Sequence, residues 1–312
     1  MPEYEHYKVW LDGKIVAPGK AKISVFSQAV LRGGSVYEGI RAYWGEERKN
    51  LFVWMLEPHF DRLFESMKIM RIDPPYSRDE MREAVVHWIR ANDFREDMHF
   101  RLNIYLGDAG RFDMKGFGSS EVEAGMFISG GPRKTPGRLE NGVNLGVSSW
   151  RRISDDSIPP RVKASANYQN SRFAGVEARV NGYEDAILLN QSGKVAEATG
   201  ACVLVIRGGE LIAPPVTESI LESITRSCVL EMYGKYVGNP VNERPLDRTE
   251  LYVADEVFMC GSGEEVTPIV SVDRVAVGDG KPGPLTQRLQ DVFFAAVRGK
   301  DEAYEKGLTP IY

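Results

Sequence analysis

The sequence predicts an α+β protein of two mixed α/β domains, and three observations predict it. Short β-prone runs alternate irregularly with amphipathic helical segments. The connections between the runs are mostly short, which favours antiparallel pairing over a regular parallel βαβ series. The chain's 312 residues exceed the roughly 100 to 200 of a usual single domain, and the pattern breaks once, at a polar stretch closed by two prolines. The expected division is a smaller N-terminal domain over 1–146, a linker over 147–160 and a larger C-terminal domain over 161–312.

Lys8-Val-Trp-Leu-Asp-Gly-Lys-Ile-Val16 reads as a hairpin, because Asp12-Gly13 suits a tight turn with positive φ. Phe60, Leu63, Phe64, Met67 and Met70 fall at helical spacing between Pro58 and Arg71, with Pro58 in the first turn. A second helix starts at Ser77, with Glu80 completing a capping box, and runs to about Asn92. Met98–Leu106 and Ala124–Ser129 have strand composition. Trp150-Arg-Arg-Ile-Ser-Asp-Asp-Ser-Ile-Pro-Pro160 breaks the pattern. Beyond it, a helix over 170–180 ends at Asn181-Gly182, and strands follow at Ala186–Leu189, Cys202–Ile206 and Glu210–Ala213, with glycine turns at Gly193 and Gly208-Gly209. A helix over 223–233, strands over 256–260 and 268–277, and a closing helix over 285–297 complete the chain.

Composition excludes several classes. The net charge of −5, with both signs interspersed, offers no basic stripe for a nucleic-acid backbone. The first residues, Met1-Pro-Glu-Tyr-Glu-His6, lack the basic and apolar regions of a signal peptide, and no apolar run reaches the roughly 20 residues of a membrane span. A cytoplasmic protein without nucleic-acid or membrane partners is expected. Cys202, Cys228 and Cys260 lie in apolar stretches, which fits packed, reduced thiols and no metal site.

Two words carry chemistry. Lys163 sits in Arg161-Val-Lys-Ala-Ser-Ala-Asn-Tyr-Gln-Asn-Ser171, and Glu197 follows 34 residues later in Lys194-Val-Ala-Glu-Ala-Thr-Gly200. A lysine forms the Schiff base with the aldehyde of pyridoxal 5'-phosphate, and a carboxylate holds the pyridine nitrogen protonated so that the ring withdraws electrons. A lysine amine is protonated at neutral pH, with a pKa of about 10.4, so it needs desolvation or nearby positive charge to act as a nucleophile. Ala164, Ser165 and Ala166 are small enough to let a cofactor approach. Leu221-Glu-Ser-Ile-Thr-Arg226 reads as a helix start, where unpaired amides and the helix dipole attract a phosphate; Ser223 is also an ordinary cap.

These words, with Ser35-Val-Tyr-Glu-Gly-Ile-Arg-Ala-Tyr43, resemble in order and spacing the class IV (fold type IV) aminotransferases, in particular the branched-chain amino acid aminotransferases. The resemblance covers nearly the whole chain. It implies two domains with the cofactor in the cleft between them, held mainly by the C-terminal one. It makes Lys163 the Schiff-base lysine and proton carrier, Glu197 the pyridinium partner, and Tyr168 the donor to the ring oxygen. It assigns the phosphate to the amides of Ile224 and Thr225, the Thr225 hydroxyl, Arg62 and Ser262, while Leu221 and Gly200 flank the ring. The substrate carboxylate falls to Arg101 and the amides of Ser262-Gly263, with glycine at 263 where alanine is usual.

Gly39, Arg41 and Arg101 keep the branched-chain pattern. Three pocket positions depart from it: Arg32 and His99 each replace a tyrosine, and Tyr37 replaces a phenylalanine, which makes the pocket more polar or more cationic. The implied reaction is ping-pong transfer of the amino group of leucine, isoleucine or valine to 2-oxoglutarate. The altered pocket keeps an (R)-selective amine transaminase with pyruvate as acceptor as the alternative. A D-amino acid transaminase fits less well, because the arginine-x-histidine word of those enzymes is reversed here as His99-Phe100-Arg101. An aminodeoxychorismate lyase shares Lys163 and Glu197, but the Tyr37–Arg41 word and Arg101 argue against it. A homodimer is implied, with residues 31–34 and the segment after Gly107 reaching toward the partner's site.

Overall fold

The computed structural model describes residues 3–109, 122–134 and 137–312. The chain forms two compact units: Met1–Lys134, Val162–Ala166 and Val297–Tyr312 make the first, and Thr135–Arg161 and Asn167–Ala296 the second. This differs from the contiguous division expected. The expected linker begins inside a sheet strand, and two distant pieces join the first unit through backbone pairing that leaves no mark on composition. Ala164 bridges Val36, and Leu308–Pro310 pairs with residues 52–54.

The first unit holds β1 (Val9–Leu11), β2 (Lys14–Val16), α1 (Gln28–Arg32), β3 (Ser35–Gly45), β4 (Asn50–Trp54), α2 (Leu56–Met70), α3 (Arg78–Asn92), β5 (Met98–Leu106) and β6 (Ala124–Pro132). With the C-terminal strand Leu308–Pro310 these form a seven-stranded sheet in the order C-terminal strand, β4, β3, β5, β6, β1, β2. Every neighbouring pair is antiparallel. The hairpin turns at Asp12 and Gly13, both with positive φ. Pro58 occupies the first turn of α2, and the expected capping box of Ser77 and Glu80 starts α3. Phe60, Leu63 and Met67 of α2 and Val85, Trp88 and Ile89 of α3 pack in one core with Val36, Ile40, Phe100, Leu102 and Ile104 of the sheet. Each such side chain contributes about 1.5–3 kcal/mol by leaving water.

That core fixes which way the strands face. Side chains alternate along a strand, so Tyr37, Gly39 and Arg41 lie on the face of β3 opposite Val36 and Ile40, and His99 and Arg101 lie on the same outer face of β5. Register pairs Arg41 with His99 and Gly39 with Arg101.

The second unit holds α4 (Arg138–Asn141), β7 (Val143–Arg151), α5 (Tyr168–Val180), β8 (Asp185–Leu189), β9 (Val195–Ala198), β10 (Cys202–Arg207), β11 (Glu210–Ala213), α6 (Ile224–Met232), β12 (Val241–Glu243), β13 (Glu256–Gly261), β14 (Glu265–Val272), β15 (Val275–Ala276) and α7 (Pro284–Val297). Its sheet runs β12-β11-β10-β13-β14-β7-β8-β9, with β15 on β14 and β9 also pairing β10. The pairing is mixed, which corrects the expectation of antiparallel strands: β7–β8, β7–β14 and β11–β12 are parallel. The helix α5 carries the crossover between β7 and β8, and its Ala174 and Ala178 pack on Ala186 and Leu188. The run expected as one strand over 268–277 is a hairpin turning at Asp273 and Arg274, both with positive φ.

Among the described residues, no helix is long and apolar enough to cross a membrane, and no group of three or more His, Cys, Asp or Glu is arranged to hold a metal ion. The three cysteines are buried and free of disulfides, and burial pushes the Cys228 thiol up to about 12.

Candidate active site

In the first unit, Val162 and Ala164 enter the core, so Lys163 between them turns to the outer sheet face with Tyr37. Backbone bonds fix the segment: the Tyr37 amide donates to the Lys163 carbonyl at 2.9 Å, and the Lys163 amide donates to Ser66 Oγ at 3.3 Å. The Lys163 ammonium lies 5.1 Å from the centre of the Tyr37 ring, and the Arg101 guanidinium is also 5.1 Å from it. Arg41, 2 % exposed, donates to the Arg133 carbonyl at 2.5 Å. Burial, together with the charges of Arg133, Arg101, Arg41 and Lys163, drives the His99 pKa down to about 3. His99 is therefore a neutral ring among cations, which falls on the more polar rather than the more cationic side of the expectation for this position. Arg32, the last residue of α1, is exposed; its neighbour Gly33 lies close to Ala166, where an added Cβ would come within 3.1 Å of the Ala166 Cβ.

On the inner face of the same sheet, Glu38 is fully buried and meets Arg62 of α2 in a two-pronged ion pair, Nε to Oε1 at 2.8 Å and Nη2 to Oε2 at 2.5 Å. His59, Arg62 and Ser66 follow one another at helical i+3 and i+4 spacing and so share a face of α2. Burial lowers the His59 pKa to about 4, and Nδ1–H donates to the Met55 carbonyl at 2.7 Å.

In the second unit, Glu197 projects from β9, every residue of which is buried. Its Oε2 accepts the Leu221 amide at 3.2 Å, and its Oε1 lies 2.7 Å from Arg152 Nε. An added Cβ on Gly200 would meet nothing within 4 Å, so the chain beside Glu197 borders open space. Ser223 caps α6, its Oγ accepting the Arg226 amide at 3.2 Å, and the first-turn amides of Ile224 and Thr225 have no acceptor within the helix. Ser262 and Gly263 form the turn from β13 to β14, closed by the Glu264 amide on the Gly261 carbonyl at 3.1 Å. Tyr168 opens α5.

The structure thus gathers Tyr37, Arg41, His99, Arg101 and Lys163 on one sheet face, ties Arg62 to the same sheet through Glu38, and joins Glu197 to Leu221. The segment expected to reach a partner subunit after Gly107 falls largely in residues 110–121, outside the described residues. Sequence reasoning missed Glu38, His59, Arg133 and Arg152. Glu38 carried a usable signal, since it alternates with Val36 and Ile40 and so faces the core. Arg152 was masked by the polar run around it.

Comparison with known proteins agrees with this geometry. The model of the amino-transferase class IV family matches residues 35–272. A probable branched-chain-amino-acid aminotransferase of Aquifex aeolicus is 39% identical over 303 residues, covering 97% of this chain and 96% of the relative. The crystal structure of a branched-chain aminotransferase from Thermoproteus uzoniensis with norvaline superposes with a TM-score of 0.92 at 40% identity, covering 98% of this chain and 99% of the other. The PLP form of the Thermobaculum terrenum branched-chain amino acid aminotransferase gives 0.91 at 38% identity, covering 99% and 100%. These matches run over nearly the full length of the chain, and the chain belongs to the class IV aminotransferase family.

Proposed function

We propose that the protein is a pyridoxal 5'-phosphate-dependent aminotransferase that moves the amino group of leucine, isoleucine or valine to 2-oxoglutarate in two half-reactions. The observation that carries this reading is the outer sheet face on which Lys163 stands beside Tyr37, with Arg41, Arg101 and Arg133 close by. An amine beside a cluster of fixed cations suits a substrate that is a carboxylate at one end and, for 2-oxoglutarate, at both.

The donor set fits the cofactor. The open space at Gly200, the Ile224 and Thr225 amides, which have no acceptor within α6, and the buried Glu197 carboxylate match, in turn, a flat ring, a phosphate and a ring nitrogen. When bound, the cofactor supplies an aldehyde that reacts with amines and a ring that withdraws electrons. Lys163 holds the aldehyde and carries the proton to and from the substrate α-carbon. Glu197 holds the ring nitrogen and Tyr168 the ring oxygen, with Leu221 and Gly200 beside the ring. The Ile224 and Thr225 amides, the Thr225 hydroxyl, Arg62 and Ser262 hold the phosphate. Arg101 and the Ser262 and Gly263 amides bind the substrate carboxylate, and Arg32, Tyr37, Arg41 and His99 shape the side-chain pocket. The enzyme acts as a cytoplasmic homodimer, with no nucleic-acid or membrane partner.

The departures at Arg32, Tyr37 and His99 favour one second reading, an (R)-selective amine transaminase with pyruvate as acceptor. Following the visible absorption of the cofactor-loaded enzyme as L-leucine, D-alanine or (R)-1-phenylethylamine is added separates the two. Bleaching by L-leucine alone supports the branched-chain reading; rapid bleaching by the amine supports the second. Lys163→Ala should cut turnover by more than about 100-fold, and unchanged turnover would overturn both readings.

A further inference from the structure

Arg152 stands where composition suggests an exposed linker, yet it is 4 % exposed, and Glu197, which it meets, is 6 % exposed. Its position is set from several directions. The Arg152 amide donates to the Leu189 carbonyl at 2.9 Å, and its carbonyl accepts from Gln191 Nε2 at 3.2 Å. Nη1 reaches Asn170 Oδ1 of α5 at 3.4 Å, and Asn170 Nδ2 in turn donates to the Arg151 carbonyl at 2.9 Å. Nε lies 2.7 Å from Glu197 Oε1 but off the N–H direction, so this contact delivers positive charge rather than an aligned hydrogen bond. The other carboxylate oxygen accepts the Leu221 amide. One oxygen therefore faces a fixed cation and the other a backbone donor, which fixes the direction of the carboxylate and places a counter-charge beside it.

We propose that Arg152 is a positioning residue that keeps Glu197 ionised, so that a proton shared between this carboxylate and the ring nitrogen of the cofactor rests on the nitrogen. The proposal rests on the reading of Glu197 as the partner of that nitrogen. Carboxylate and pyridine nitrogen compete for one proton. A carboxylate flanked by a guanidinium and an amide N–H is the weaker base of the two. Without the guanidinium, a carboxylate this deeply buried lacks its counter-charge and takes up the proton, because desolvation disfavours the charged form. The nitrogen is then left neutral and the ring withdraws electrons less strongly.

The test is nitrogen NMR of the full-length protein loaded with pyridoxal 5'-phosphate labelled with ¹⁵N in the ring. The native protein should give a signal in the pyridinium range. Arg152→Met and Arg152→Gln should move it toward the neutral-pyridine position and lower kcat by about tenfold or more with little change in KM, and Arg152→Lys should restore the native signal. A pyridinium signal retained in the loaded Met or Gln variant overturns the proposal. Failure of both variants to fold or to bind the cofactor also overturns it, by assigning Arg152 to folding or to binding. A native signal already in the neutral range, or Glu197→Gln leaving a pyridinium signal, defeats instead the reading of Glu197 on which the proposal stands.

Discussion

Replacing Glu38 by glutamine keeps the shape of the side chain and removes its charge, and with it the buried ion pair to Arg62. The side chains are 0 % and 9 % exposed, so water cannot take over the lost interaction. Breaking a buried ion pair by removing one member costs about 3–5 kcal/mol. At about 2–4 °C per kcal/mol, the midpoint of thermal unfolding should fall by roughly 6–20 °C. Scanning calorimetry at matched protein concentration and cofactor saturation measures this, since bound ligand and assembly also move the midpoint. The double variant Glu38→Leu with Arg62→Met removes both charges and should be less destabilised than Glu38→Gln alone. A midpoint for Glu38→Gln within about 2 °C of the native value, or strictly additive effects in the cycle, would refute the view that this pair is a desolvated unit held by mutual charge.

The buried His59 has its pKa lowered from 6.5 to about 4, so between these values the unfolded chain binds the proton and the folded one does not. Its contribution is complete above about pH 6.5 and is lost as the pH falls toward 4, a change of about 3 kcal/mol; His59→Gln should lose less stability than the native protein in urea titrations between pH 7 and 4.5. Gly130→Ala places a Cβ 2.6 Å from Phe100 Cα and closer still to the His99 carbonyl, and should cost about 1–3 kcal/mol, whereas Gly137→Ala meets nothing within 4 Å and should be nearly neutral in the same assay. Ser77→Ala removes the hydroxyl that caps α3 and should cost about 1 kcal/mol, read as a lowered urea midpoint with an unchanged slope.

Much of the fold was legible because local rules and tertiary packing agree. The apolar stripe of α2, the capping box of α3, the Asp12-Gly13 turn and the β5 strand all appear where periodicity and turn chemistry put them. What escaped was long-range. The strand β7 ends in Ser148-Ser-Trp-Arg151, too polar to read as sheet, and is held by pairing with β14 and β8 rather than by its own propensity. The Asp273-Arg274 turn lacks glycine; the Asp273 side chain stabilises it by accepting from the Val147 amide, Arg248 and the Tyr252 hydroxyl. In the candidate site, the residues proposed for the chemistry stand in recognisable words of the sequence. The ion pairs they make, Arg62 with Glu38 and Glu197 with Arg152, were not legible, since a pair between residues far apart in sequence leaves no local pattern even where, as at Glu38, the inward face could be read.

The C-terminal strand Leu308–Pro310 lies antiparallel against β4, with Leu308 opposite Trp54 and Pro310 opposite Phe52. During synthesis β4 leaves the ribosome long before this neighbour exists, and until residues 308–310 emerge one side of it is a bare row of N–H and C=O groups. Such a row is a template for pairing with another chain. Completion of the first sheet thereby waits for residues 308–310, and a chain stalled or clipped before them carries an open sheet edge. Proline at 310 bears on the same hazard, because a residue without an N–H is a poor partner for a further strand laid along the finished edge.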